Sequence, residues 1–421
     1  MTNHQLKASA QQMLETNILP FWSERMVDTE RGGFYGRIDG NNILHPEAEK
    51  GAVLNARILW TFAGATRLLH RMPYRIMAAR AKDYFLTCFI DSRYGGIYWS
   101  LNADGSPLDT KKQTYAIAFA IYGLVEYHRA TGDQEALDMA IRLFEDIEAH
   151  AFDAAHVGYI EALTRDWQPI ADMRLSDSDE NGSRTMNTHL HVLEAYTNLY
   201  RVWKDERVAR QLRVLIDIFV NRLFNSANGH LGLFFDDEWK PLTGNPSSET
   251  HHLYSPGHDI EAAWLLREAL LVLGDQDLLR QTLPVCRRLA VAAQDGIQMA
   301  CQMGSPRILI LGESVEQDGA SLSGGAANHA NLSSSDTQWW CYAEAVVGYV
   351  DQYQDIRDPH QWQMAEKAFA FIQSHLLDRE HGEWFWSVLP NGTPNRKEDK
   401  AGFWKCPYHN SRMCFELIER L

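Results

Sequence analysis

The sequence predicts an all-α protein folded as an (α/α)6 barrel with short β-hairpins at one rim. Three observations point there. Windows of helical apolar period recur along the whole chain, an insert of one type stands between alternate pairs of them, and the spacing of the inserts counts six copies.

The helical windows are 53–70, 74–90, 113–130, 135–150, 188–203, 206–223, 259–273, 276–293, 338–353 and 361–376. With the first and last segments they make about twelve helices. The inserts read DTERGGFYGRIDGN from Asp28, DSRYGGIYWSLNADGSP from Asp91, DAAHVGYIEALTRDWQP from Asp153, NSANGHLGLFFDDEWKP from Asn225 and DREHGEWFWSVLPNGTP from Asp378. Their starts lie 63, 62, 72 and 153 residues apart. The last gap is about twice the others, so it hides one degenerate copy. An open superhelix would need terminal caps, whereas six such units can close on themselves. Inner helices then line a deep bowl, and the hairpins shape its mouth. No compositional break divides the chain, so 1–421 is expected to be a single catalytic domain. The polar stretch SLSGGAANHANLSSSD, 321–336, sits in the elongated fifth copy and reads either as a lid over the bowl or as an unstructured loop.

Composition narrows the function. Forty basic against fifty-five acidic residues give a net charge of −15, which argues against nucleic acid as a partner. The polar N-terminus reads as a helix and not as a secretory signal, and no apolar run is long enough to span a membrane. Six cysteines without C-x-x-C spacing fit reduced thiols in a cytoplasm. At 11% the aromatic content suits a large core or a cavity lined with ring faces, as a carbohydrate site is.

Signatures of other chemistries are missing. There is no G-x-x-x-x-G-K-[ST], no G-x-G-x-x-G after a strand, no HExxH and no G-x-S-x-G. His189 and His191 stand two apart on one helix and so point to different sides, which suits a shared metal poorly. What remains is a set of polar and aromatic residues at the starts of helices that should be inner ones. SPGHDIEAAWLL places His258, Glu261 and Trp264 on one helical stripe. Arg57 lies among apolar residues in KGAVLNARILW, His191 and Glu194 follow Asn187 in MNTHLHVLEAY, Trp340 and Glu344 are four apart in QWWCYAEAV, and Trp404 precedes His409 in FWKCPYHN. Each alone reads as a satisfied polar group of a core. Their recurrence in different repeats favours a cavity, because a barrel gathers helix starts at one end. His258 and His409 would form an acid/base pair suited to proton removal beside a carbonyl, with Arg57 stabilising the negative oxygen formed in between.

These motifs resemble the cellobiose 2-epimerases, within the wider N-acylglucosamine 2-epimerase superfamily. The likeness runs from ILPFWSERMVD to the C-terminus. It implies an (α/α)6 barrel that interconverts the C2 configuration at the reducing end of a β-1,4-linked disaccharide, through ring opening and a cis-enediolate. It further implies His258 and His409 as the acid/base groups, with Arg57 and His191 at the opened C1–C2 end. Asn187 and Glu261 would hold hydroxyls or orient an imidazole, and Trp340 and Trp404 would offer ring faces, with Trp264 completing the sugar-facing stripe. Glu344 would support from behind, Tyr115 and Phe119 match ring positions of the family's third helix, and Asp179 falls where a second sugar is held. No metal and no other cofactor is implied, and the expected partner is a small sugar met by a monomer. Departures occur at Trp339-Trp340-Cys341-Tyr342-Ala343-Glu344, where the family reads W-W-P-Q-A-E, and at Ile117, where it reads glutamine. They spare the acid/base positions and bear on substrate size. Alternatives at this level are a mannose or glucose 2-epimerase, an aldose–ketose isomerase, a glycoside hydrolase using Glu261 and Glu344 as its carboxylates, and a non-catalytic sugar-binding protein.

Overall fold

The computed structural model describes residues 1–177, 179–242, 253–294, 315–316, 337–389 and 391–421. Its helices are α1 (Asn3–Met13), α2 (Leu19–Glu24), α3 (Ala52–Leu69), α4 (Met72–Tyr84), α5 (Thr114–Thr131), α6 (Gln134–His150), α7 (Met186–Val202), α8 (Glu206–Ile218), α9 (Pro256–Leu273), α10 (Gln276–Ala292), α11 (Trp339–Ile356), α12 (Pro359–Phe371) and α13 (His409–Arg420). Packing sorts them into two layers. α3 packs on α5, α5 on α7, α7 on α9, α9 on α11, α11 on α13, and α13 returns to α3, which closes the inner ring of six. Around it α4, α6, α8, α10 and α12 pack behind α3, α5, α7, α9 and α11, and α1 packs on α13. The fold is an (α/α)6 barrel.

The two layers differ in sequence for a physical reason. An inner helix is covered on every side, so all fifteen residues of α3 from Ala52 to Thr66 are buried. An outer helix meets water on one face, and α8 buries Val208, Ala209, Leu212, Leu215, Ile216 and Ile218 on the other. α7 passes to α8 through the extended Trp203, and the other inner helices that lead to an outer one do so through a single left-handed residue, His70, Gly132, Gly274 or Arg357. In the last three cases an aspartate N-cap follows: Asp133, Asp275 and Asp358 accept from Ala136, Leu278 and His360.

Each hairpin is built around its first residue. Asp28, Asp91, Asp153 and Asp378 accept backbone N–H groups two and three residues on, which folds the turn. A buried cation then neutralises them, from beside the Ile38–Ala401 bridge in Lys400 on Asp378, and from the strand before the inner helix in Lys50 on Asp28 at 2.9 Å, Lys112 on Asp91 at 3.0 Å and Arg184 on Asp153. The same strand pairs with the hairpin of the next unit, as in Lys50–Gly51 with Ser100–Leu101 and Thr337–Gln338 with Ser387–Val388. Leu253–Tyr254 pairs in this manner with Val315–Glu316, so the degenerate fifth copy occupies its expected place. The polar stretch 321–336 falls outside the described residues.

The seam between first and last units is closed twice. Ile38 of the first hairpin bridges to Ala401. The buried Glu383 carboxylate accepts from Trp22 Nε1 at 2.6 Å, Lys405 Nζ at 2.7 Å and Asn410 Nδ2 at 2.6 Å.

Candidate active site

All six inner helices begin at the hairpin rim, so their positive dipole ends converge on the mouth of the bowl. A cavity of about 500 Å³ opens there, and every inner helix contributes to its wall. Arg57 comes from α3, Tyr115 from α5, Asn187 and His191 from α7, His258 and Glu261 from α9, Trp340 from α11 and His409 from α13. Trp404 and Asp179 complete the wall from the segments before α13 and α7. A larger hollow, about 680 Å³, lies at the opposite end of the barrel. Its charges neutralise one another, Arg67 and Arg129 on Glu126, Arg201 on Glu268, Arg420 on Asp351 and Glu416. Residues for which the resemblance implied a role line the rim cavity, and none of them lines this one.

Two imidazoles flank one indole. The Trp340 ring centre lies 4.6 Å from that of His258 and 5.5 Å from that of His409. His258 Nδ1 is 2.8 Å from the hydroxyl of Ser255, the N-cap of its own helix, and His409 Nδ1 is 2.7 Å from Glu344 Oε1. In both rings this leaves Nε2 as the nitrogen for chemistry. Burial, with a smaller repulsion from His191, lowers His258 to about 3. Burial and the cations Arg412 and Arg57 hold His409 well below the usual imidazole range. Both are neutral at pH 7, the form a base requires.

Behind His409 sits Arg412, fully buried and paired with Glu194, Glu261 and, at 2.7 Å, Glu344. Three carboxylates share one guanidinium, so they do not all ionise freely. Burial and the nearby Glu344 push the Glu261 carboxyl up to about 8, and burial raises Glu344 against the pull of Arg412. Burial also opposes the charge on Glu194, but Arg412 and His191 outweigh it and hold that group at about 2. The Glu261–Glu344 pair thus keeps a proton at neutral pH. Glu261, Glu344 and His409 bring three ligand-type atoms within 4.8 Å of one another. Arg412 already occupies the carboxylates of that group, which leaves a metal cation a poor fit.

On α3, next to α13 in the ring, Arg57 presents the opposite situation and lies 4.5 Å from the Tyr408 ring centre. Its guanidinium donates to Tyr115 Oη at 2.8 Å and to Cys406 Sγ at 3.4 Å, and it lies 4.0 Å from the Phe119 ring centre. Among the described residues no carboxylate pairs with it, and its Nε has no partner. His191 lies beside it, its Nδ1 2.9 Å from Glu194 and its ring against Phe119 and Tyr115, and burial lowers it to about 4. A buried cation without a counter-ion is prepared for negative charge that develops on a bound molecule.

The model of the N-acylglucosamine 2-epimerase (GlcNAc 2-epimerase) family matches residues 33–412. The chain belongs to this family. It is 52% identical to a cellobiose 2-epimerase of Bacteroides fragilis over 417 residues, 98% of each chain. It is 37% identical to a cellobiose 2-epimerase of Ruminococcus albus over 413 residues, 97% of each. The solved cellobiose 2-epimerase of Bacillus thermoamylovorans B4167 superposes with a TM-score of 0.88 at 35% identity, covering 99% of this chain and 100% of that one.

In this member of the N-acylglucosamine 2-epimerase family ten of the thirteen residues for which the resemblance implied a role line one cavity. Three stand a layer behind it. Trp264 donates from Nε1 to Glu344 at 3.1 Å and packs under Arg412, Glu344 reaches His409 from outside the wall, and Phe119 lies beneath Arg57. These three therefore support the wall and do not form a sugar-facing surface. The stripe of α9 is split because a helix buried on all sides turns its third stripe position towards its neighbour. His189 faces away from His191, between Thr185 O at 2.7 Å and Tyr159 N at 3.0 Å. Of the departures, Tyr342 stacks on Phe371 of α12 at 4.3 Å and Ile117 is fully buried off the cavity, so neither alters the wall. Sequence reasoning missed Arg412, Tyr408, Gln338, Trp386 and Glu161. The available signal was spacing, since Arg412 follows His409 by three residues as Glu194 follows His191, which puts each pair on one helical face.

Proposed function

We propose that this protein, as one catalytic unit spanning 1–421, epimerises C2 of the reducing-end sugar of a β-1,4-linked disaccharide such as cellobiose. The observation that carries the reading is two neutral imidazoles around one indole, in one cavity with a buried guanidinium that has no counter-ion among the described residues. The opened sugar presents its C1 carbonyl to Arg57 and His191, and one histidine removes the C2 proton from its face. Arg57 and the helix N-termini stabilise the enediolate oxygens. After rotation about C2–C3, the other histidine returns a proton to the opposite face. When His409 is the acid it gives its proton from Nε2 while Nδ1 takes one from the Glu261–Glu344 pair, whose Glu344 oxygen lies 2.7 Å away; when it is the base, Nδ1–H stays on that carboxylate and the bare Nε2 takes the C2 proton. Trp340 and Trp404 cover the C–H faces of the sugar, and Asp179 and Asn187 take hydroxyls of the two rings. The 52% identity to a cellobiose 2-epimerase supports a disaccharide over a free hexose. Glycoside hydrolysis fits poorly, because Glu261 and Glu344 converge on the same Arg412 and do not flank a bond. Incubation with cellobiose, lactose, mannose and glucose in deuterated water, followed by chromatography and NMR, tests the reading. The expected product is the mannose-ended epimer of the disaccharides with deuterium at C2. Turnover of free mannose alone, a ketose product, or hydrogen retained at C2 would each overturn it.

A further inference from the structure

Asn187 and His191 both project from the start of α7, so whatever fixes that turn fixes one edge of the cavity. Thr185 is the N-cap of α7, and its hydroxyl oxygen accepts from Thr188 N at 3.1 Å. The same hydroxyl donates to Glu161 Oε2 at 2.8 Å, and the Thr188 hydroxyl donates to Glu161 Oε1 at 2.6 Å. Glu161 belongs to the third hairpin, lines the cavity and is 1% exposed. Its backbone reaches both neighbouring helices, accepting from Thr114 N at 3.1 Å at the start of α5 and donating to Ser183 O at 3.0 Å just before α7. One residue thus joins the turns that carry Tyr115, Asn187 and His191.

Among the described residues no cation pairs with Glu161. Lys112 from the strand before α5 pairs with Asp91, Arg184 from the strand before α7 with Asp153, and Arg174 with Asp172. On α7 itself the facing groups are Thr185 and Thr188, and the charge acting on Glu161 is the carboxylate of Asp179. As an anion Glu161 accepts only, which obliges both threonine hydroxyls to donate to it and leaves the Thr185 lone pairs to the helix N–H. When protonated it must itself donate to one of them, and the cap has to rearrange.

We propose that Glu161 is a positioning residue of the epimerisation put forward above, its anion holding the α7 cap so that Asn187 and His191 aim at the sugar. Burial, against the two threonine hydroxyls, raises its carboxyl to about 7, so both forms exist near neutral pH. The anion is the better positioner and the less stable form, because a buried charge without a cation is costly. Its ordinary value is 4.5, so the folded state takes up a proton that the unfolded state releases. That stabilisation is complete below 4.5 and disappears as pH rises through about 7.

Glu161→Gln mimics the protonated form and separates the possibilities. The variant should melt higher than wild type at pH 8, by a margin that shrinks towards pH 5. Its kcat should fall about tenfold at pH 8, as a displaced binding edge does, with KM changed less than about twofold, and its rate should lack the wild-type decline on acidification through about 7. Tm and kcat falling together would reduce Glu161 to a structural residue, and a raised KM with kcat intact would make it a sugar contact. A Tm margin independent of pH overturns the proposal whatever the activity. A chain inactive on every sugar overturns the epimerase reading instead, and the Tm margin still decides on Glu161.

Discussion

His409 Nδ1 and Glu344 Oε1 lie 2.7 Å apart, joining the first residue of α13 to the second turn of α11. In the neutral ring Nδ1–H donates to the carboxylate, so Nε2 is left unprotonated towards the cavity. Glu344→Gln can offer its amide N–H to Nδ1 instead and select the wrong tautomer. We expect kcat to fall by up to about 10⁴-fold with the fold retained, as when the orienting carboxylate of a catalytic histidine becomes an amide. Steady-state kinetics with circular dichroism checks this, and a kcat within a factor of three of wild type would remove Glu344 from the acid/base unit.

The two histidines should fail together. His258→Ala and His409→Ala each cost about 10²–10⁴ in epimerisation rate in either direction, and the double variant should be no worse than the poorer single one. The surviving histidine can still remove and return a proton on its own face. Deuterium wash-in at C2 without inversion should persist weakly for one epimer in each variant, and near-normal epimerisation by either one would refute the paired-face scheme.

Burial places His258 at about 3 and His191 at about 4, both beneath the ordinary 6.5. The folded protein therefore holds these rings neutral through the range in which free imidazole charges. Their imidazole NMR signals, assigned by substitution, should not titrate between pH 8 and 5. A midpoint near 6.5 for His258 would show that its burial is relieved in solution.

Lys50 and Asp28 are both fully buried, and among the described residues each finds its counter-charge in the other. Lys50→Met should destabilise the fold by about 3–5 kcal/mol, because it leaves a charge stranded. Adding Asp28→Asn keeps the turn-forming acceptor and removes the charge, so the double variant should recover most of the loss in urea denaturation. Equal stability of the single and double variants would mean that the stranded charge is not the cause.

The fold was largely legible because its repeat is written in turn chemistry. An aspartate that folds each hairpin recurs at Asp28, Asp91, Asp153 and Asp378, and a lysine follows 21 or 22 residues later at Lys50, Lys112 and Lys400. The site was legible where a residue type is improbable in an apolar helix, as with Arg57 and His258. Wall and backing were harder to separate. Trp264 and Glu261 share a helical face in sequence, and only the crossing of α9 with α11 decides that one meets the cavity and the other meets Glu344. Glu161 was hidden for another reason: it sits in a hairpin, where an acidic residue is unremarkable, and its partners are threonines from a different unit.

A ring of six units has no outermost member. In a linear array each end unit has one neighbour and frays first, whereas here the bridge from Ile38 to Ala401 and the knot of Trp22, Glu383 and Lys405 give the first and sixth units two neighbours like the rest. Prising out any one unit breaks two interfaces, so the helices should be lost in one concerted step, and amide exchange in α13 should be as slow as in α7. The girth of the bowl is then set by the number of units and cannot stretch to suit a guest. Any accommodation between sugars of different length falls to the hairpins at the mouth.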